Sequence, residues 1–203
     1  IYDVTISDDE VIYLCDAVTQ NFRKSLLPED VIWSYSGVRP LLGEGGSDAS
    51  SASRDYKLEK SFIDGAPILN IYGGKITTYR TLAEAALKSL GYDASWTHID
   101  PLPGGDIEDA DFDGFYKCLC KKFSGFEKDV LHRLARAYGT RAERILKDPG
   151  RYLGDGVYEA EIRYMIETEM ARDMEDILFR RSKLGLHISD KTQTAIKELL
   201  NER

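Results

Sequence analysis

The apolar run Pro67-Ile68-Leu69-Asn70-Ile71-Tyr72 passes through Gly73-Gly74-Lys75 into a segment with helical periodicity from about Thr78 to Leu90. The run is short and carries β-branched and aromatic residues, which is strand character. Two glycines between a strand and a helix allow a tight turn and leave backbone N–H groups bare at the helix start. A chain with this junction has to combine sheet and helix. The junction also has a chemical consequence. Bare amides and the positive end of a helix dipole favour an anion or a polarised carbonyl, and Lys75 adds a full charge at the same place.

The segments around this junction sort the chain into two halves. Ser7-Asp8-Asp9-Glu10 has the form of a capping box. Val11, Leu14, Cys15, Val18 and Phe22 follow at helical spacing, which predicts an amphipathic helix over about 8–22. Val31 to Ser36 has the composition of a strand and runs into Gly37-Val38-Arg39-Pro40. Gly43 to Ser53 is rich in Gly, Ser and Ala and reads as a loop. Arg54 to Leu58 reads as a short strand, and Gly91 as the residue that ends the helix begun near Thr78. Asp93 to Asp109 holds Pro101, Pro103, Gly104 and Gly105 and marks the best boundary.

Beyond that boundary the pattern is helical throughout. Ser124 to Glu127 and Thr140 to Glu143 have the spacing of two further capping boxes, with Gly139 and Pro149-Gly150 as stops. Tyr158, Ile162, Met165 and Ile166 form one apolar stripe, and Ile177 and Leu178 belong to another. Ser189 caps a last helix carrying Ile196, Leu199 and Leu200. The expected fold class is α+β: a short mixed β segment (1–95), a linker (96–108) and an all-α bundle of about five helices (109–203).

The net charge of −8 argues against a general nucleic-acid binder. Charge is uneven, however. Tyr116 to Lys147 holds nine Lys/Arg against three Asp/Glu, a basic helical face suited to an anionic membrane surface or an acidic partner, or simply solvated and balanced by neighbouring acids. No apolar run approaches the length of a membrane span, and no signal-peptide pattern is present. The three cysteines, Cys15, Cys118 and Cys120, lack metal-ligand spacing and suggest reduced thiols in a cytosolic protein. The chain starts at Ile1 without methionine and reads as a piece of a longer protein.

Arg39 is held extended by Pro40, and a guanidinium on a rigid loop suits a carboxylate or a phosphate. Arg54, beyond the Gly/Ser loop, is able to join it, and with Lys75 the three would cradle a phosphate dianion. From the sequence alone, Arg39 and Arg54 read more simply as ordinary surface charges or structural ion pairs. Thr77 and Thr78 read most simply as helix caps, a role compatible with touching a ligand. His98, His132 and His187 have no nucleophile or metal partner nearby in sequence. Gly43-Glu44-Gly45-Gly46 is not in a strand-to-helix context, and Gly73-Gly74-Lys75-Ile76 lacks the spacing of a phosphate-binding P-loop, so no complete nucleotide site is encoded.

Five motifs in order carry a resemblance over nearly the whole chain. They are Trp33 to Pro40, Arg54-Asp55-Tyr56, Leu69 to Arg80, Leu102-Pro103-Gly104-Gly105 and Asp176 to Leu186. Together they resemble the C-terminal part of the FAD-dependent, aerobic glycerol-3-phosphate dehydrogenases. The resemblance implies oxidation of sn-glycerol 3-phosphate to dihydroxyacetone phosphate, with electrons passing through FAD to quinone at the inner face of the cytoplasmic membrane. It implies that Arg39, Arg54 and Lys75 contact substrate. It sets Gly37, Arg39, Gly73, Gly74, Lys75, Thr77 and Thr78 along the flavin. The family's motif for the ADP part of FAD and its general base are not in these residues, so the chain alone is expected to be inactive. No metal is expected, and a homodimer is one assembly that fits. The alternatives are an oxidase of the same superfamily, or a helical docking or membrane-contact module.

Overall fold

The computed structural model describes residues 4–38, 55–93 and 95–202. The chain divides into two compact units, Ile1–Asp100 and Pro101–Arg203. The division falls inside the segment read as a linker: Ser95–His98 forms a 3-10 turn of the first unit, while 101–108 belongs to the second.

The first unit opens with α1 (Asp8–Asn21), begun by the expected capping box in which Ser7 and Glu10 satisfy each other's backbone N–H groups. The segment 31–36 does not form a strand. It has no ladder partner among the described residues, and Ile32 and Tyr35 are 84% and 75% exposed, so its β-branched and aromatic residues find no pleated neighbour to pack on. Its two rings stack on each other instead, Trp33 and Tyr35 lying 5.2 Å apart.

An antiparallel ribbon of β1 (Tyr56–Ile63) and β2 (Ala66–Gly73) follows. It is longer than the short strand expected at 54–58. Asp64 and Gly65, both at positive φ (50° and 82°), make the two-residue turn that matches the right-handed twist of the strands. This turn fixes the register, with Ile63 opposite Ala66 and Tyr56 opposite Gly73. A 3-10 turn (Ile76–Thr78) then leads into α2 (Tyr79–Ser89), which ends at Gly91 with φ 90°.

The second unit holds α3 (Phe112–Lys122), α4 (Lys128–Tyr138), α5 (Ala142–Lys147), α6 (Glu159–Glu167) and α7 (Asp190–Asn201). The α4 helix buries Val130, Leu131, Leu134, Ala135 and Tyr138, a broad stripe at helical spacing. The stripe joins one apolar cluster with Leu119, Ile145, Ile162, Met165, Ile177 and Ile196. The unit is not wholly helical. A small hairpin, β3 (Tyr152–Gly154) and β4 (Val157–Tyr158), turns through Asp155 and Gly156 at φ 48° and 74°.

Two expected caps are built differently. Glu127, not Ser124, sits at the N-cap of α4 and makes no side-chain cap bond. The Thr140 hydroxyl donates to Asp106 instead of capping α5. Ser189 does cap α7, accepting from the Thr192 N–H. The stripe at Ile177 and Leu178 lies in a single π-helical turn, Asp176–Arg180, closed by the Arg181 N–H donating to the Asp176 carbonyl at 2.7 Å.

Candidate functional site

The ribbon register places the glycine turn. Because Tyr56 pairs with Gly73, β2 ends where β1 begins, and the chain leaves the ladder through Gly73 (φ 69°) and Gly74 (φ 105°). Both glycines are in conformations that L side chains rarely adopt. A Cβ on Gly74 would also meet Leu82 of α2 at 3.4 Å and Tyr56 at 3.6 Å, so the turn is backed by the ribbon on one side and the helix on the other.

Lys75 follows in extended geometry as the N-cap of the 3-10 turn, with no side-chain cap bond there. Thr78 is the N-cap of α2 and again makes no side-chain cap bond. Its hydroxyl points backwards and donates to the Lys75 carbonyl at 3.1 Å, while its N–H donates to the same oxygen at 3.0 Å. Thr77 lies inside the 3-10 turn. The two threonines do not cap the helix with their side chains; the backbone does it, the Tyr79 N–H donating to the Ile76 carbonyl and the Thr78 N–H to that of Lys75, so the bare amides expected at this junction are already engaged by the 3-10 turn. The Lys75 ammonium lies 3.3 Å from an Asp55 carboxylate oxygen and remains about half exposed.

Arg80, in the same motif, is committed elsewhere: it donates to Glu84 at 2.8 Å, and the Thr97 hydroxyl donates to the same carboxylate. Gly37 stands where an added Cβ would meet nothing within 4 Å. Arg39, Arg54 and the Gly43–Ser53 loop lie outside the described residues. The structure thus brings Gly73, Gly74, Lys75, Thr77 and Thr78 together at one helix start. Asp55, within the Arg54-Asp55-Tyr56 motif, carries no local signal of this contact, because it meets Lys75 only through the ladder register.

The remaining polar side chains with strong partners lie in the second unit and bind one another. Glu161, 1% exposed, accepts both guanidinium nitrogens of Arg133 at 2.5 and 2.8 Å and the Tyr138 hydroxyl at 3.1 Å. Burial, with the Glu161 charge beside it, pushes the Tyr138 phenol far above its ordinary value. Glu159 accepts from Arg151 at 2.7 Å and from Arg163 at 2.5 Å, which together hold its carboxyl at about 2. Arg151 also forks onto Glu202, the C-cap residue of α7. Asp176, drawn down by the Arg172 N–H and then by Arg180, ties the π turn to both arginines of its motif. These groups are saturated by each other and read as structural. His132 packs edge-on against Phe112 and Tyr116. Among the described residues no cluster of His, Cys, Asp or Glu is able to hold a metal ion, and no helix is long and apolar enough to cross a membrane.

Known proteins resemble this chain along almost its whole length. It is 39% identical to D-erythritol 1-phosphate dehydrogenase of Brucella abortus, over 97% of the chain and 41% of that protein. It is 38% identical to glycerol-3-phosphate dehydrogenase of Pseudomonas aeruginosa, with the same coverage. It is 36% identical to aerobic glycerol-3-phosphate dehydrogenase of Escherichia coli K12, over 98% of the chain and 42% of that protein. The chain therefore spans about two fifths of the length of these curated relatives. Residues 95–202, more than half of the chain, match the model of the C-terminal domain of alpha-glycerophosphate oxidase. By that match the chain belongs to the family defined by the C-terminal domain of alpha-glycerophosphate oxidase.

Proposed function

We propose that this chain is the C-terminal portion of an FAD-dependent dehydrogenase that oxidises sn-glycerol 3-phosphate to dihydroxyacetone phosphate and passes the electrons to quinone. The observation that carries the reading is the 36–38% identity, over nearly all of the chain, to proteins named glycerol-3-phosphate dehydrogenase. The glycine turn supports it. A half-exposed ammonium at the strand-to-helix turn offers positive charge to a ligand that gains negative charge, which suits the pyrimidine edge of a flavin undergoing reduction.

In this reading Gly37, Arg39, Gly73, Gly74, Lys75, Thr77 and Thr78 hold the flavin, and Arg39, Arg54 and Lys75 grip the substrate phosphate. Bound there, FAD supplies the two-electron acceptor for the alcohol carbon. We assign no general base within the chain, and the chain alone is inactive. The enzyme works at the inner face of the cytoplasmic membrane as a peripheral protein. Exposed apolar side chains support a role within a larger body: apart from Leu102, Tyr152 and Met170, every exposed large hydrophobic among the described residues lies in the first unit.

A second reading concerns the substrate. The Brucella abortus relative, named for D-erythritol 1-phosphate, is as similar as the glycerol-3-phosphate dehydrogenases, so a four-carbon alditol phosphate is the competing ligand. Turnover of the longer flavoprotein on each phosphate ester, with quinone as acceptor and hydrogen peroxide monitored, separates the readings. Quinone reduction by glycerol 3-phosphate without peroxide supports the proposal. Preference for erythritol 1-phosphate, or peroxide as the product, would replace it.

A further inference from the structure

Asp55 has no assigned role, yet the ribbon delivers it to the glycine turn. It immediately precedes β1, and Lys75 follows the last residue of β2 by two positions. Eight residue pairs, set by the Asp64-Gly65 turn, hold these two ends side by side. A one-residue slip of the ladder would turn every side chain of one strand to the other face. The pairing of a carboxylate and an ammonium twenty positions apart is thus a product of register.

We propose that Asp55 is the positioning residue for Lys75, fixing the direction of its ammonium just beyond the Gly73-Gly74 turn. The proposal rests on the function proposed above. A lysine stem has four rotatable bonds and little intrinsic preference for one direction, so a charge meant to act at one place needs a tether. Asp55, one residue before the strand whose first residue pairs with Gly73, supplies it. The same carboxylate faces any incoming phosphate and opposes its binding. Removing its charge therefore slows the rate without weakening apparent affinity.

The pairing is tested on the 203-residue chain by acetic anhydride labelling, read lysine by lysine by mass spectrometry. Exposed ion pairs bias a side chain by about two- to fivefold. Asp55→Asn is expected to raise Lys75 labelling by about that factor and leave the other lysines unchanged, with Asp55→Glu restoring the wild-type rate. Equal labelling of Lys75 in wild type and Asp55→Asn would overturn the pairing. The role is tested on the longer flavoprotein. Asp55→Asn is expected to slow flavin reduction by glycerol 3-phosphate about two- to fivefold, with KM unchanged or lowered, and Asp55→Glu to restore the rate. An unchanged rate, or a rate and KM that worsen together as in a collapsed turn, would overturn it. If the wild-type flavin is not reduced by glycerol 3-phosphate, the functional reading fails instead, and the labelling still decides the pairing.

Discussion

Glu159 and Glu161 stand two residues apart on α6 and show how differently two carboxylates can be held. Glu161 is in the core, and its charge is met by one bidentate guanidinium and a phenol. Removing one partner of such a pair strands the other, so Glu161→Ala should destabilise the second unit by about 3–5 kcal/mol, measurable by denaturant unfolding. Glu159 is held by Arg151 and Arg163 and titrates at about 2 rather than 4.5. A depressed folded-state value means that its contribution to stability is complete above the unfolded value and fades as pH falls through the folded one. The melting temperature of wild type should therefore lose its advantage over Glu159→Gln between about pH 4.5 and pH 2. Parallel profiles for the two proteins would contradict this. Arg39 lies outside the described residues, and its assignment is tested by kinetics. In the longer flavoprotein, loss of a charge-assisted phosphate contact, about 1.5–3 kcal/mol, should raise KM for glycerol 3-phosphate about 10- to 150-fold in Arg39→Ala. An unchanged KM would remove it from the site.

At the scale of elements, close backbone approach decides as much as side-chain packing. Gly104 and Gly139 lie against each other, and the Thr140 N–H donates to the Gly104 carbonyl at 3.1 Å. A Cβ on Gly139 would collide with that carbonyl, and one on Gly104 with the carbonyl of Tyr138. Gly139→Ala should cost at least about 2 kcal/mol and lower the melting temperature, because the intruded atoms are backbone and have nowhere to move. A neutral Gly139→Ala would show that the segment around Gly104 is free to detach from α4.

Helices with apolar stripes, such as α6 and α7, were legible in the sequence because their periodicity is set by local geometry and their partners lie on one face. What escaped was set elsewhere. Thr140 looked like a cap, but Asp106, 34 residues away, takes its hydroxyl. The β3–β4 hairpin is too short for any periodicity, although Asp155-Gly156 was its signal, as Asp64-Gly65 was for β1–β2. The π turn at Asp176 follows a period the helical template does not contain.

For the whole molecule, the two units differ in how much of their apolar surface they cover. The second buries a continuous cluster, whereas among the described residues of the first only Cys15 and Ala86 are buried hydrophobics. The strand-to-helix junction at Gly73 to Thr78 was legible because a local motif makes it: both glycines take the positive φ that the turn requires. Asp55 was not legible, because its meeting with Lys75 depends on a ladder register that no local window reveals.

The central claim is that the longer protein proposed to contain this chain is a flavoprotein that oxidises glycerol 3-phosphate through its flavin. Flavin absorbance followed anaerobically on addition of glycerol 3-phosphate, with glycerol as control, tests this most directly. Bleaching by the phosphate ester and not by glycerol is the predicted result. Absence of bleaching, or equal bleaching by glycerol, would contradict the claim and return Arg39 and Arg54 to ordinary surface charges.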